Sequence, residues 1–156
     1  MSVFMWLLVL AVIDGGIIAG VSFDVALVKL PTRKRIGPVA YAQFARGNDL
    51  GNGKVVYPIL GILTLLLVFV VTGVAWAGSQ PAAVMMPLFT ATLFTVLHSV
   101  CTGVKAAPIM LSLAKTPDKP AILQQKLDSF AFWHGIRTVF QVAAFIALVW
   151  ALAQTA

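Results

Sequence analysis

Residues 55–77 run for twenty-three positions without a charged side chain. As a helix such a run is long enough to cross the ~30 Å hydrocarbon core of a bilayer. It is one of four. Residues 3–28 form another, interrupted by Asp14 and Asp24. Residues 81–104 are uncharged. Residues 130–153 carry His134 and Arg137. Transmembrane barrel strands alternate apolar and polar positions, whereas residues 59–71 are apolar on every side. With 10% charged and 60% hydrophobic residues, the chain cannot cover itself with polar surface. That excludes a soluble globular domain and a disordered chain. The sequence therefore predicts one all-α domain over residues 1–156, an integral membrane four-helix bundle.

The basic residues set the expected orientation. Lys29, Arg33, Lys34, Arg35, Arg46 and Lys54 fall in the loop 29–54, and Lys105, Lys115, Lys119 and Lys126 in the loop 105–129. The N-terminal stub, the link 78–80 and the C-terminus carry none. Positive loops stay in the cytoplasm, so both loops are expected inside and both termini outside. The location expected is a plasma or bacterial inner membrane. The net charge of +6 then answers to an anionic inner leaflet. No interleaved basic and aromatic face points to nucleic acid. With no basic residue ahead of it, the first span reads as an uncleaved helix.

Within the first loop, Gly37-Pro38 can start a short helix that Gly47 stops. Tyr41 and Phe44 would share one face and Gln43 and Arg46 another, as in a helix lying on a membrane surface. Gly16 and Gly20, and Ala143, Ala147 and Ala151, have the small-residue spacing of close helix contacts. Packing within one bundle is the favoured use and a homo-oligomer the alternative. Cys101, the single cysteine, reads as a packed thiol.

Ionisable groups cost at least ~2.5 kcal/mol each in hydrocarbon and mark function. His134, Arg137, Thr138 and Gln141 fall at i, i+3, i+4 and i+7, on one helical face. Thr95, His98, Ser99 and Thr102 do the same in the third span. Measured from the nearest flanking charge, Asp24 lies about 7.5 Å deep, His98 about 10 Å, His134 about 9 Å and Arg137 about 13 Å. Three helices thus deliver ionisable groups to one layer, with Asp14 in another.

Three uses compete for that layer. One is structural, with Asp24 pairing Arg137. Another is a catalytic pocket, with His98 or His134 as base, Arg137 stabilising an enolate or phenolate, and Phe132, Trp133 and Tyr41 lining a slot for a flat apolar substrate. The last is a metal site of Asp24, His98 and His134, or a haem between the histidines. No cofactor is predicted otherwise.

Trp133-His134-Gly135-Ile136-Arg137-Thr138, followed by Val142-Ala143-Ala144-Phe145, resembles the last helix of the anthrone-oxygenase-like family of small four-helix membrane proteins. Leu30-Pro31 after the first span, Tyr57-Pro58, and Ala107-Pro108 after the third are similar to that family too. The family's histidine often sits one place along, where this chain has Gly135. Trp133, Arg137 and Thr138 carry the match. The resemblance implies a membrane monooxygenase that oxidises a flat aromatic or quinone-like hydrophobic molecule with dioxygen. It implies Arg137 as the anion-stabilising group and His134 or His98 as the base; with the residues read from depth and spacing, the candidate site combines Asp24, His98, His134 and Arg137 with Trp133, Thr138, Gln141, Tyr41 and Phe132. The alternatives are a non-enzymatic membrane subunit or small-molecule binding protein, and a metal or haem redox protein.

Overall fold

The computed structural model describes residues 2–155, and every regular element among them is helical. The elements are α1 (Val3–Ile36), α2 (Pro38–Gly47), α3 (Gly53–Ala77), α4 (Ala82–Lys115) and α5 (Pro120–Ala153). All but α2 are long and apolar enough to cross a membrane. The punctuation is local. Ser2 caps α1, its hydroxyl accepting the Met5 N–H at 3.2 Å. Gly37, at φ +83°, turns the chain between α1 and α2. Pro38 and Pro120 open α2 and α5, where no N–H is required. Asn48–Asn52 is a π-turn, bent at Gly51, that leads into α3.

The four long helices form a square in which α1 touches α3 and α5, and α4 touches the same two. Two cores fill it. Near the termini, Leu8, Val68, Leu88 and Leu148 interlock with Ala11, Ala75, Ala91 and Ala151. At the opposite, basic end, Leu30, Tyr41, Met110, Leu113, Leu123 and Leu127 form the second. Outside, large side chains such as Trp6, Ile13, Leu66, Phe69, Val139 and Ile146 lie exposed. Small inside and large outside is the reverse of a water-soluble bundle, and it suits helices that meet in lipid.

The helices overrun the lengths expected from the sequence. The loop 105–129 shrinks to the turn Thr116–Lys119, and most of the loop 29–54 is helical. The reason is packing. Ala106, Met110 and Leu113 on α4, and Leu123, Leu127 and Phe130 on α5, recur at helical spacing and bury one another beyond the apolar runs. Helix α2 exists where the sequence placed it, but its buried face (Tyr41, Ala42, Ala45) lies on α5 and the end of α4. Phe44 is exposed instead of sharing that face. Arg46 locks α2 down. Its guanidinium donates to the carbonyls of Leu113 at 3.0 Å and Thr116 at 2.6 Å, and pairs with Asp118 at 2.7 Å. That bond holds the Asp118 carboxyl below its usual range.

Of the two spaced glycines, only Gly16 is tightly packed. A Cβ there would sit 3.1 Å from the Phe145 ring, while one on Gly20 would meet nothing within 4 Å. Gly16→Leu should therefore lower stability by about 1–3 kcal/mol, read as a lower melting temperature in detergent. Gly20→Leu should leave it nearly unchanged, and adding Phe145→Ala to Gly16→Leu should restore part of the loss.

Candidate functional site

The polar layer assembles around two histidines of fixed tautomer. His134 is buried, and its Nε2 lies 3.0 Å from the Ser22 carbonyl of α1. A carbonyl only accepts, so Nε2 carries the proton and donates. Nδ1 is then an acceptor, and it receives Arg137 Nε at 3.0 Å and Nη2 at 2.9 Å. His98 Nδ1 lies 3.0 Å from the Arg137 carbonyl and must donate to it. That leaves the His98 Nε2 lone pair with only the Thr102 hydroxyl, at 3.5 Å. Arg137 Nη1 donates to the same hydroxyl at 3.2 Å. Thr138 donates to the His134 carbonyl at 2.7 Å and sits 3.4 Å from the Ser22 oxygen. The two imidazoles therefore differ. His134 has both nitrogens engaged and orients the guanidinium, whereas His98 keeps a basic nitrogen to offer.

These groups wall a cavity of about 430 Å³ at the basic end, bounded by α1, α3, α4 and α5. Its lining is mostly apolar, with His98, Thr102, His134 and Arg137 on one wall. Such a volume with a few convergent polar groups suits a small ligand. Three wide turns border it: Val25–Lys29, Asn48–Asn52 and Thr102–Ala106. The first and last widen a continuous helix by one residue per turn, a distortion common at functional sites, and the middle one is a kink at Gly51 between α2 and α3. Each also contributes lining residues, Val25, Leu50 and Gly103 among them.

Not every expected residue arrives. Asp24 points the other way and pairs with Lys29 at 3.1 Å. The expected Asp24–Arg137 pair is thus not formed. Among the described residues the ion pairs are Lys29–Asp24, Arg33–Asp128 and Arg46–Asp118. Arg137 belongs to none. Phe132 is exposed on the outer surface, edge-on to Trp133. Trp133 lies under the Lys105 ammonium, 5.4 Å from its ring centroid, and does not line the cavity. Tyr41 belongs to the core beneath α2. Gln141 lies further along α5, its Nε2 3.4 Å from the Gly15 carbonyl and its Oε1 without a protein partner. Asp14 occupies that second level, accepting the Thr64 hydroxyl. Asp24, His98 and His134 do not converge, and no group of three His, Cys, Asp or Glu that could hold a metal ion forms among the described residues.

Two lining residues escaped sequence reasoning. Phe130 packs against the His134 ring at 5.3 Å. Asp49 is carried into the cavity wall by the π-turn after α2. Burial raises its carboxyl above the ordinary range, against the opposing donation of Asn48 Nδ2 at 2.9 Å. The available signal was that Asp49 is the one acid between Lys29 and Lys54.

Tyr41 gives a direct check on the packing beneath α2. Burial, reinforced by Asp49, pushes its phenol up from 10.0 to about 12. Above pH 10 an unfolded chain loses this proton while the folded one keeps it, so stability should fall as pH climbs through that window, by on the order of 2 kcal/mol. With only two tyrosines in the chain, phenolate absorbance should show one ionising near pH 12, and Tyr41→Phe should remove both that step and the alkaline slope.

Comparison of the chain with protein-family models, with curated proteins and with solved structures returns no match.

Proposed function

We propose that this chain is a multi-pass membrane protein with both termini outside, and that its cavity is an oxygenase site for a flat hydrophobic molecule with an acidic C–H or O–H. One observation carries the reading. A guanidinium with no carboxylate partner stands in an apolar cavity wall beside an imidazole whose lone pair meets only the Thr102 hydroxyl, at 3.5 Å. A cation so placed is ready for an anion that forms in the site.

The chemistry follows from the two groups. His98 Nε2 takes a proton from the activated carbon of an anthrone-like substrate, and Arg137 stabilises the resulting enolate oxygen. The electron-rich carbon adds dioxygen. Protonation gives a hydroperoxide, which loses water to leave a carbonyl. The balance is one CH₂ and one O₂ converted to one C=O and one H₂O. His134 and Ser22 act as positioning groups for Arg137. The resemblance in the fourth span points to the same reaction class. The basic loops between spans support an inner-leaflet position for the cavity.

Hydroxypyrene, a flat phenol, tests the anion site without turnover. Bound to the protein in lipid nanodiscs it should ionise at lower pH than in plain bilayer, and Arg137→Leu should abolish that shift. Oxygen uptake with anthrone should fall on the order of 10²-fold in His98→Ala. Binding without oxygen uptake would reduce the protein to a carrier of such molecules, and no binding would overturn the site.

Orientation is tested separately. A reporter active only outside the cytoplasm, fused after the C-terminus, should be active. A reporter active only inside should be silent.

A further inference from the structure

Helices α3 and α4 touch near the termini, where Thr72 and Thr92 hydrogen-bond at 3.0 Å and Trp76 packs edge-on against Phe89 at 5.7 Å. Eleven residues from that bridge towards the basic end lies Gly61 on α3, and eleven residues along α4 lies Gly103. Eleven residues are close to three full helical turns. The two glycines therefore stand at about the same height, each on the face its helix turned to the other at the threonine bridge. The two faces do not meet there. A Cβ on either glycine would find nothing within 4 Å.

The rest of α3 agrees. Between Gly53 and Thr64 it buries no residue. Its packing into the bundle resumes at Thr64, Val68 and Val71. Both glycines line the cavity. So do Ile62 and Leu111, which are 59% and 56% exposed. A residue that lines a cavity and is also largely exposed marks where that cavity meets the outside. At Ile62, within the apolar run 55–77, the outside is the apolar belt, while Lys54 and Leu111 mark the rim towards the basic end.

We infer that the ligand is a molecule dissolved in the bilayer, and that it reaches Arg137 sideways through this slot. The absent side chains of Gly61 and Gly103 set the slot's width and so select flat molecules. This rests on the cavity being a ligand site; the slot itself rests on helix geometry alone. A flat amphiphile slides in ring first or oxygen first between two smooth helix faces, and its oxygen end is drawn to Arg137, the inner of the two cations on the wall, the exposed Lys54 being the other.

Two measurements in nanodiscs test it. A nitroxide on Gly103→Cys, in a Cys101→Ser background, should be relaxed by oxygen dissolved in lipid and not by a water-soluble nickel chelate. Strong relaxation by the chelate would show an aqueous opening and overturn the slot. Stopped-flow exchange of hydroxypyrene should slow on the order of tenfold in both directions in Gly61→Leu/Gly103→Leu. The open space at both positions lets the variant fold. Gly73→Leu, on the same helix and equally unconfined, should exchange at the original rate. Unchanged exchange in the double variant, with binding intact, would overturn the route and leave the site standing. Failure of the unaltered protein to bind hydroxypyrene would overturn the site and the route together.

Discussion

The arrangement at the basic end depends on how one guanidinium is held without a counter-ion. Arg137 is fixed by an imidazole, and the imidazole by the backbone carbonyl of Ser22 on α1, just before the π-turn Val25–Lys29. Each link is a hydrogen bond between different helices or successive turns. None neutralises the charge. A carboxylate in place of His134 would make a stronger contact but would spend the cation that the cavity presents. The bundle thus keeps its charge available by binding it through a neutral acceptor.

The remaining helices can be understood as the frame for that chain of contacts. Near the termini, alanines and glycines bring backbones close, with Gly16 against the Phe145 ring, and the square is tight. At the basic end the cavity opens among the same helices, and Arg46 fixes α2 against α5 and the end of α4. The Arg46 guanidinium donates to the carbonyls of Leu113 and Thr116, at the end of α4 where the helical hydrogen bonding runs out. The apolar side chains facing outward over most of the length leave the fold little choice of solvent.

Much of this was legible in the chain. The four spans followed from runs such as 55–77, because an apolar stretch of that length has one economical structure. The meeting of His98, His134 and Arg137 followed from i, i+3 spacing and depth counted from flanking charges. What was not legible has one physical origin. Depth and spacing give the height of a residue and its angle on an ideal helix, but a π-turn shifts the angle of all that follows. Asp24, one residue before such a turn, was expected to face Arg137; the turn instead stacks Lys29, five residues on, beside it, and the two pair. Asp49, read as part of a loop, sits in a π-turn and enters the cavity wall. Tyr41 and Phe44 were assigned from α2 alone, whereas the helix they pack against decided which of them is buried.

The two π-turns within continuous helices, Val25–Lys29 and Thr102–Ala106, also bear on how such a cavity can arise. Each holds one residue more than the α-helical turn it replaces. A single-codon insertion in a straight helix would produce that geometry, the bulge taking up the extra residue so that the turns on either side keep their facing. Repeated in two helices at one end only, it converts a closed bundle into a hollow one with no change to the half that keeps it folded.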